Sequence, residues 1–412
     1  MINKIKKFIK SNDGLFLLLK QVLIYFRYLK SIGKKGRYDM LSQYEPVGKI
    51  VVSEKGKHCY FGYYDKSPLD SKSQRLLFLR LPKDAKEGDE AEVCIYDIAS
   101  KTKTVIGKTC AWNWQQACME QWMDHDVVSY NRYDAEKKEY QTALHSLTTG
   151  DGKLIGRAAY SFNKNFSKYL SLNFYRLDKF AKGYGYPFQV DSMDEKEDGI
   201  WEVDVVSAEF QLILTLAEVM AFEPKNYSQC QHYINHVAYC PDERYIIFIH
   251  RWQEKGGEFV SRLLKYDLAE KKLMSLLDNG HVSHYCWKSP CELMIYATNE
   301  KMEKGYMVVN IDTGKNYLLK GLPAEDGHPT YNKGGMWVVT DTYPDSHRDQ
   351  YLFLYQTDEE KLYMVDKLHS PFKFFNKNRC DLHPRWSKDG KYIVVDNTAK
   401  GVRSLKIYKV DI

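Results

Sequence analysis

Four stretches of this chain share one layout, and the repeat restricts the fold more than any other feature. Residues 326–343 read DGHPTYNKGGMWVVTDTY, 234–251 read INHVAYCPDERYIIFIHR, 282–299 read VSHYCWKSPCELMIYATN and 381–398 read DLHPRWSKDGKYIVVDNT. Each carries a histidine just ahead of a turn and a short apolar strand after it. The histidines are His236, His284, His328 and His383, spaced by 48, 44 and 55 residues. A period near 45 residues with strand–turn–strand content is the signature of β-propeller blades.

The first half continues the pattern. Strand units begin at Tyr63, Met119 and Tyr169, which with the four histidine units makes seven. Seven further apolar segments follow them, near Ile95, Leu144, Trp201, Lys265, Val308, Phe353 and Ile407. The expected fold is therefore all-β: a seven-bladed β-propeller over residues 48–412, preceded by a short basic helical segment over residues 1–40. The final unit runs into the chain end without a fourth strand, and an orphan strand, GKIVVS, precedes the first unit. An open blade exposes unpaired strand edges, so Lys49–Ser53 is expected beside Leu405–Val410.

Residues 1–37 hold eight Lys and two Arg against one Asp, a charge of +9. The whole chain is +6, so the other 375 residues sum to −3. The body is thus no general nucleic-acid binder. The apolar run from Leu15 to Phe26 is broken by Lys20 and Gln21 and is too short to span a bilayer; no small-residue cleavage site follows it. Two readings stay open for this segment. It can lie on an anionic membrane surface, or pack against the propeller rim with its lysines in water. Nine cysteines, an odd number without a CxxC pair, fit reduced thiols and a cytoplasmic location, with the membrane reading placing the protein peripherally at the inner membrane.

Residues at one point of successive blades converge toward the propeller axis, which turns a linear repeat into a spatial cluster. Imidazoles with a carboxylate bind divalent transition metals. Asp381 lies two residues before His383, on the same side of an extended strand. The candidate metal set is His328, Asp381 and His383, with Asn378 near by. A polar residue at such a point can equally bond the next blade's backbone. Thirty-two Tyr and eight Trp suit strands and also sugar-stacking surfaces. Tyr64 (in YYDKSP) and Trp114 (in WNWQQ) are candidate sugar contacts, with His236 and Arg251 from the fourth blade. The alternative for Trp112 or Trp114 is core packing. Asp341, Asp345, His347 and Arg348 either support the site or form a polar turn. The Asp178–Gly199 stretch, rich in Gly and acidic residues, reads as a loop over one face, either covering a groove through Tyr184-Gly185-Tyr186-Pro187 or disordered. No phosphate-cradling glycine loop, GxSxG elbow or dinucleotide fingerprint occurs.

From about Ile234 to Thr398 the layout resembles the oligogalacturonate lyases, seven-bladed propellers that cleave uronate glycans with a manganese-type ion. The resemblance implies a metal-binding histidine in the penultimate blade, matched by His328, and a Gln-x-x-His-x-His run, matched by Asn378, Asp381 and His383 in NRCDLHP. Asn and Asp replace Gln and His there; both side chains can still coordinate a cation. The resemblance also implies a proton-abstracting histidine one blade earlier, which is His284, and an assisting arginine, for which Arg262 is the better match and Arg251 the second. It implies a divalent cofactor, Mn²⁺ first, and an acidic oligo- or polysaccharide as substrate, cleaved by β-elimination. The alternative is a non-catalytic propeller that binds a glycan or a protein partner at the inner membrane in surface-polysaccharide assembly.

Overall fold

A computed structural model describes residues 13–181, 183–225, 230–254 and 259–412. The first part of the basic segment, residues 1–12, lies outside the described residues.

Seven four-stranded antiparallel sheets form the blades of a β-propeller. Their innermost strands are Lys57–Tyr60, Gln121–Trp122, Ser161–Phe162, Cys230–Tyr239, Val282–Trp287, Thr330–Tyr331 and Arg385–Trp386. In the first blade this strand lies ahead of Tyr63, the start of the unit read from sequence. Tyr63 and Tyr64 fall beyond its end, in the connection that crosses the axis. The middle strands carry Val, Leu and Ile on both faces, because each blade is covered by a neighbour on either side. Leu77, Leu79, Val394 and Ile407, from the first and last blades, share one core and are fully buried. Burial at that level contributes about 1.5–3 kcal/mol per large aliphatic side chain.

The ring closes with strands from both ends of the chain. Ser404–Lys409 pairs on its outer side with Gly48–Val52, in a register that sets Gly48 opposite Lys409 and Val52 opposite Leu405. Upstream, residues 42–44 run along the outer strand of blade six, Lys361–His369. There the Met364 N–H donates to the Ser42 carbonyl at 2.9 Å and the Tyr44 N–H to the Met364 carbonyl at 2.8 Å. The approach to the closing strand thereby shields an edge that would otherwise be open.

Helix α1, Asp13–Ser31, lies on the rim of the sixth blade. Tyr28 meets Phe372 edge-on at 5.1 Å, the Ser31 hydroxyl donates to the Ser346 carbonyl at 3.2 Å, and His347 Nε2 sits 2.9 Å from the Ser31 carbonyl. Between residues 17 and 31 the described contacts fall on one side of the helix. Leu17, Ile24 and Tyr28 are half-buried and Ser31 is buried. Leu18, Leu19, Val22, Leu23, Phe26 and Leu29, on the opposite side, are exposed. Among the described residues no helix is long and apolar enough to cross a membrane.

The Asp178–Gly199 stretch is a packed insertion over one end of the ring. Short helix α2, Phe174–Phe180, begins it, with Asn173 accepting from the Arg176 N–H at its start. Tyr186 stacks on Phe174 at 4.3 Å, and its hydroxyl accepts from Asn131 Nδ2 at 2.9 Å.

Deleting residues 1–52 is expected to remove soluble, cooperatively unfolding protein, since the outer edges of blades six and seven lose their partners together. Yield of monomer on size exclusion and a single denaturant transition provide the check.

Candidate metal centre and active site

Broken strand pairing turns the repeat histidines toward the axis. The innermost strand of blade four loses register between Asn235 and Ala238, and His236 inside this bulge has a positive φ of 51°. Blade five shows the same irregularity between Val282 and Tyr285, around His284. Bulges of this kind re-aim a side chain. In blades six and seven the innermost strands shrink to Thr330–Tyr331 and Arg385–Trp386. His328 and His383 precede them, each followed by a proline that has no N–H for a ladder. The four rings then meet in a chain, with centroids 5.4 Å apart from His236 to His284 and 4.2 Å apart at the next two steps.

One carboxylate fixes two of them. Asp341 Oδ1 accepts from the His328 N–H at 2.8 Å and lies 2.8 Å from His328 Nδ1; Oδ2 accepts from the His383 N–H at 3.1 Å. This sets Nδ1 of His328 against Asp341 and leaves Nε2 as the ring atom that can face a cation once it is deprotonated. His328 Nε2, His383 Nε2 and Asp381 Oδ1 are buried and have no hydrogen-bond partner within the described residues. The two imidazoles and the Asp381 carboxylate each offer one ligand atom, all within 4.8 Å of one another. Buried polar atoms left unpaired on neighbouring side chains are costly unless a bound group such as a cation satisfies them. Two nitrogens and an oxygen suit Mn²⁺, Fe²⁺, Co²⁺ or Zn²⁺. Arg379 Nε donates to Asp381 Oδ2 at 2.8 Å and orients that carboxylate.

His284 stands beside this set with its own carboxylate. Its Nδ1 lies 3.3 Å from Asp326 Oδ1, while the Ser283 hydroxyl donates to Asp326 Oδ2 at 2.7 Å. Burial, then the charge of His328, pushes His284 below the ordinary imidazole value against the pull of Asp326. Burial likewise pushes His236 and His383 well down. Burial acts the same way on His328, but the adjoining Asp341, with Asp381 and Asp326, holds it above the usual value. At neutral pH His284 is thus an uncharged imidazole whose Nε2 can accept a proton. The Tyr63 hydroxyl lies 2.7 Å from His236 Nδ1, and the Tyr285 hydroxyl donates to the His236 carbonyl at 2.5 Å.

The remaining sequence candidates divide. Arg251 is half-buried near Tyr184, Tyr233 and Asp326, and its positive charge helps to depress His236 and His284. Arg262 is not with the cluster. It is fully buried, donates to His250 Nδ1 at 3.2 Å, and caps a short helix through the Val219 and Phe222 carbonyls, each at 2.9 Å. The register explains this: Arg262 pairs with His250 and Ser261 with Arg251, so Arg262 projects from the other face of the blade. Asn378 turns away as well, its backbone carbonyl accepting from Arg403 at 3.0 Å and its side-chain oxygen at 3.5 Å from the same guanidinium. Trp114 is core, packed edge-on to Trp112 at 4.9 Å and under the Arg403 guanidinium at 4.6 Å. Tyr64 is buried at the foot of the cluster, where its hydroxyl bonds both the carbonyl and the N–H of Tyr285 at 2.9 Å. Its ring lies 5.3 Å from that of His328. Asp326 did not stand out in the sequence as a site residue, although it lies two positions before His328; nothing local marks it as the partner of a histidine 42 residues earlier.

No sequence-family model and no curated protein sequence matches the chain. Solved structures do. An oligogalacturonate lyase in complex with manganese aligns with a TM-score of 0.67 at 16% identity, covering 90% of this chain and 96% of that one. The chain shares that fold. An oligogalacturonate lyase from Vibrio parahaemolyticus aligns at 0.64 and 12% identity, over 90% of this chain and 96% of its own. The propeller domain of the Trilobed protease from Pyrococcus furiosus, described as having an open velcro topology, aligns less well, at 0.50 and 11% identity over 86% and 94%. Here the ring is closed by the Gly48–Val52 strand.

Asp341→Ala is expected to cost about 3–5 kcal/mol, because buried groups that the carboxylate satisfied become unpaired. Urea denaturation of the purified variant measures this.

Proposed function

We propose that the protein is a metal-assisted lyase acting on uronate-containing glycans by β-elimination. The observation that carries this reading is the set of three unpartnered, buried ligand atoms on His328, Asp381 and His383, directly beside a neutral His284 that Asp326 orients. The likeness to a lyase solved with manganese supports Mn²⁺ as the ion. A bound divalent ion would polarise the uronate carboxylate and stabilise the charge that develops at C5. Asp326 holds the His284 tautomer that leaves Nε2 free. His284 takes the C5 proton; the C5–H electrons form the C4–C5 double bond, and the C4–O pair leaves with the glycosidic oxygen, which is then protonated. Arg251 replaces Arg262 as the arginine that pairs with the acid group.

Purified protein given Mn²⁺ and oligogalacturonate is expected to generate ultraviolet-absorbing unsaturated ends. His284→Ala should lower that rate by about 10²–10⁴-fold. Titration calorimetry should find one Mn²⁺ per native chain and none for His383→Ala. A native chain that binds the oligosaccharide without metal and without cleavage is instead a glycan-binding propeller.

We also propose that helix α1 rests on an anionic membrane surface, on the cytoplasmic side where the nine cysteines stay reduced. Two observations support this. The outward face carries Leu18 and Phe26, each 57% exposed, with Val22 and Leu29 between and after them. The first 37 residues carry +9, so a second copy brought against the same face would be repelled, whereas acidic headgroups would not. The chain is expected to float with phosphatidylglycerol-containing vesicles, and Leu18→Asp/Phe26→Asp to stay in the soluble fraction. A dimer in solution that ignores vesicles would assign this face to self-association.

A further inference from the structure

The described end of the basic segment and the rim of blade six enclose a cavity of about 650 Å³. Its walls include Arg27, Lys30, Lys34 and Lys35 from the segment, facing Thr342 and Tyr343 on the propeller. The lining carboxylates are already engaged. Glu325 is ion-paired with Arg37 and accepts from the Tyr38 hydroxyl at 2.5 Å. Asp345 accepts from the His347 and Asp349 N–H groups and from the Tyr351 hydroxyl at 3.1 Å. Among the described ion pairs none involves Arg27, Lys30, Lys34 or Lys35. A concave surface with an uncompensated surplus of one sign concentrates the opposite charge.

The cavity also adjoins the candidate centre. Thr342 and Tyr343 directly follow Asp341, the carboxylate that fixes His328 and His383. The Tyr343 ring is 5.7 Å from that of His328 on one side, and the Arg379 guanidinium lies over it at 5.8 Å. One tyrosine is therefore shared between the metal-ligand histidine and the cationic cavity.

We infer that this cavity is an extended binding site for further carboxylate groups of the same acidic glycan, which runs from the centre past Tyr343 onto Lys30 and Lys34. The inference rests on the lyase reading for its substrate. Tyr343 lines the cavity while its ring meets His328, and the lysines beyond it would pair with uronate carboxylates. The consequence is a dependence on chain length: a disaccharide fills the centre alone, whereas a hexasaccharide reaches the cavity.

Calorimetry at low salt with galacturonate hexasaccharide and disaccharide tests this, using the full chain and Lys30→Glu/Lys34→Glu, with circular dichroism as the check on folding. The native chain should bind the hexasaccharide at least ten-fold more tightly than the disaccharide. The double variant should lose that margin, keep its disaccharide affinity, and show a shallower salt dependence. Single Lys34→Gln should lose part of the margin if the double variant fails to fold. Equal affinities for the two lengths, or a margin the variants leave untouched, would overturn the cavity assignment while cleavage keeps the lyase reading. A length-dependent, charge-sensitive affinity without any cleavage would do the reverse. Binding of neither sugar would overturn both, and a charge reversal that weakens only vesicle binding would assign these lysines to lipid headgroups.

Discussion

The Asp341 carboxylate ties blade six to blade seven at the axis, and the geometry of the candidate centre follows from that tie. Its two oxygens engage one ring nitrogen and two backbone N–H groups, all from the segments that carry His328 and His383. Neither segment is held by a strand at that point, because a proline follows each histidine and the inner strands begin only afterwards. A carboxylate there does the work of a ladder. It also fixes the ring of His328, with Nδ1 held on Asp341 and Nε2 left without a hydrogen-bond partner among the described residues. Charge-assisted bonds of this kind are strong where water is excluded, and His328 and Asp341 are both buried.

The same logic operates at the seam between the last blade and the first. Arg385 and Asp396, both buried in blade seven, form an ion pair at 2.9 Å. Arg385 Nε also donates to the Tyr63 carbonyl at 2.8 Å, and Asp396 accepts from the Phe61 and Gly62 N–H groups. The pair thereby clamps the connection that sets Tyr63 against His236 and Tyr64 beneath His328. Gly62 within it has φ of +92°, and a Cβ there would lie 2.7 Å from the Ala117 nitrogen, so only glycine fits. Ring closure is therefore a condition for the site as well as for stability: if the first and last blades part, the aromatic floor under the histidines moves with them.

Much of this was legible in the sequence, for a physical reason. A propeller repeats one hydrophobic pattern per blade, so strand count, blade count and the convergence of four histidines can be read from spacing. The oligogalacturonate-lyase likeness found among solved structures agrees with the resemblance drawn from the histidine units. What sequence spacing could not resolve was which way a given side chain faces once the ladder is irregular. Arg251 and Arg262 sit on adjacent strands of one blade, and a one-residue difference in register sends them to opposite faces. Asn378 falls at the spacing of a ligand, but a turn of 3₁₀ helix at Asn376–Asn378 rotates it toward Arg403. Trp114, plausible as a sugar platform from its neighbours in sequence, is claimed by the core because Arg403 and Trp112 meet it from two sides. Asp326 and Asp341 serve histidines through contacts that cross a blade or a strand turn, and composition carries no trace of such pairing.

Enclosure gives these buried groups their chemical character. His236 and His383 are kept neutral by desolvation, and neutral imidazole is the form that can offer a lone pair to a metal or accept a proton. His328 is the exception, because three carboxylates lie near it. The cluster is therefore polarised along its length, with negative charge concentrated between Asp326, Asp341 and Asp381, and positive charge on Arg251 and Arg379 at the half-exposed margin. On the lyase reading proposed above, a divalent cation would answer the first excess and an acidic sugar the second. Depth separates the charges only in part: Asp341 and Asp381 are buried, whereas Asp326, Arg251 and Arg379 are partly exposed, so the floor of the cluster is negative and its margin carries both signs.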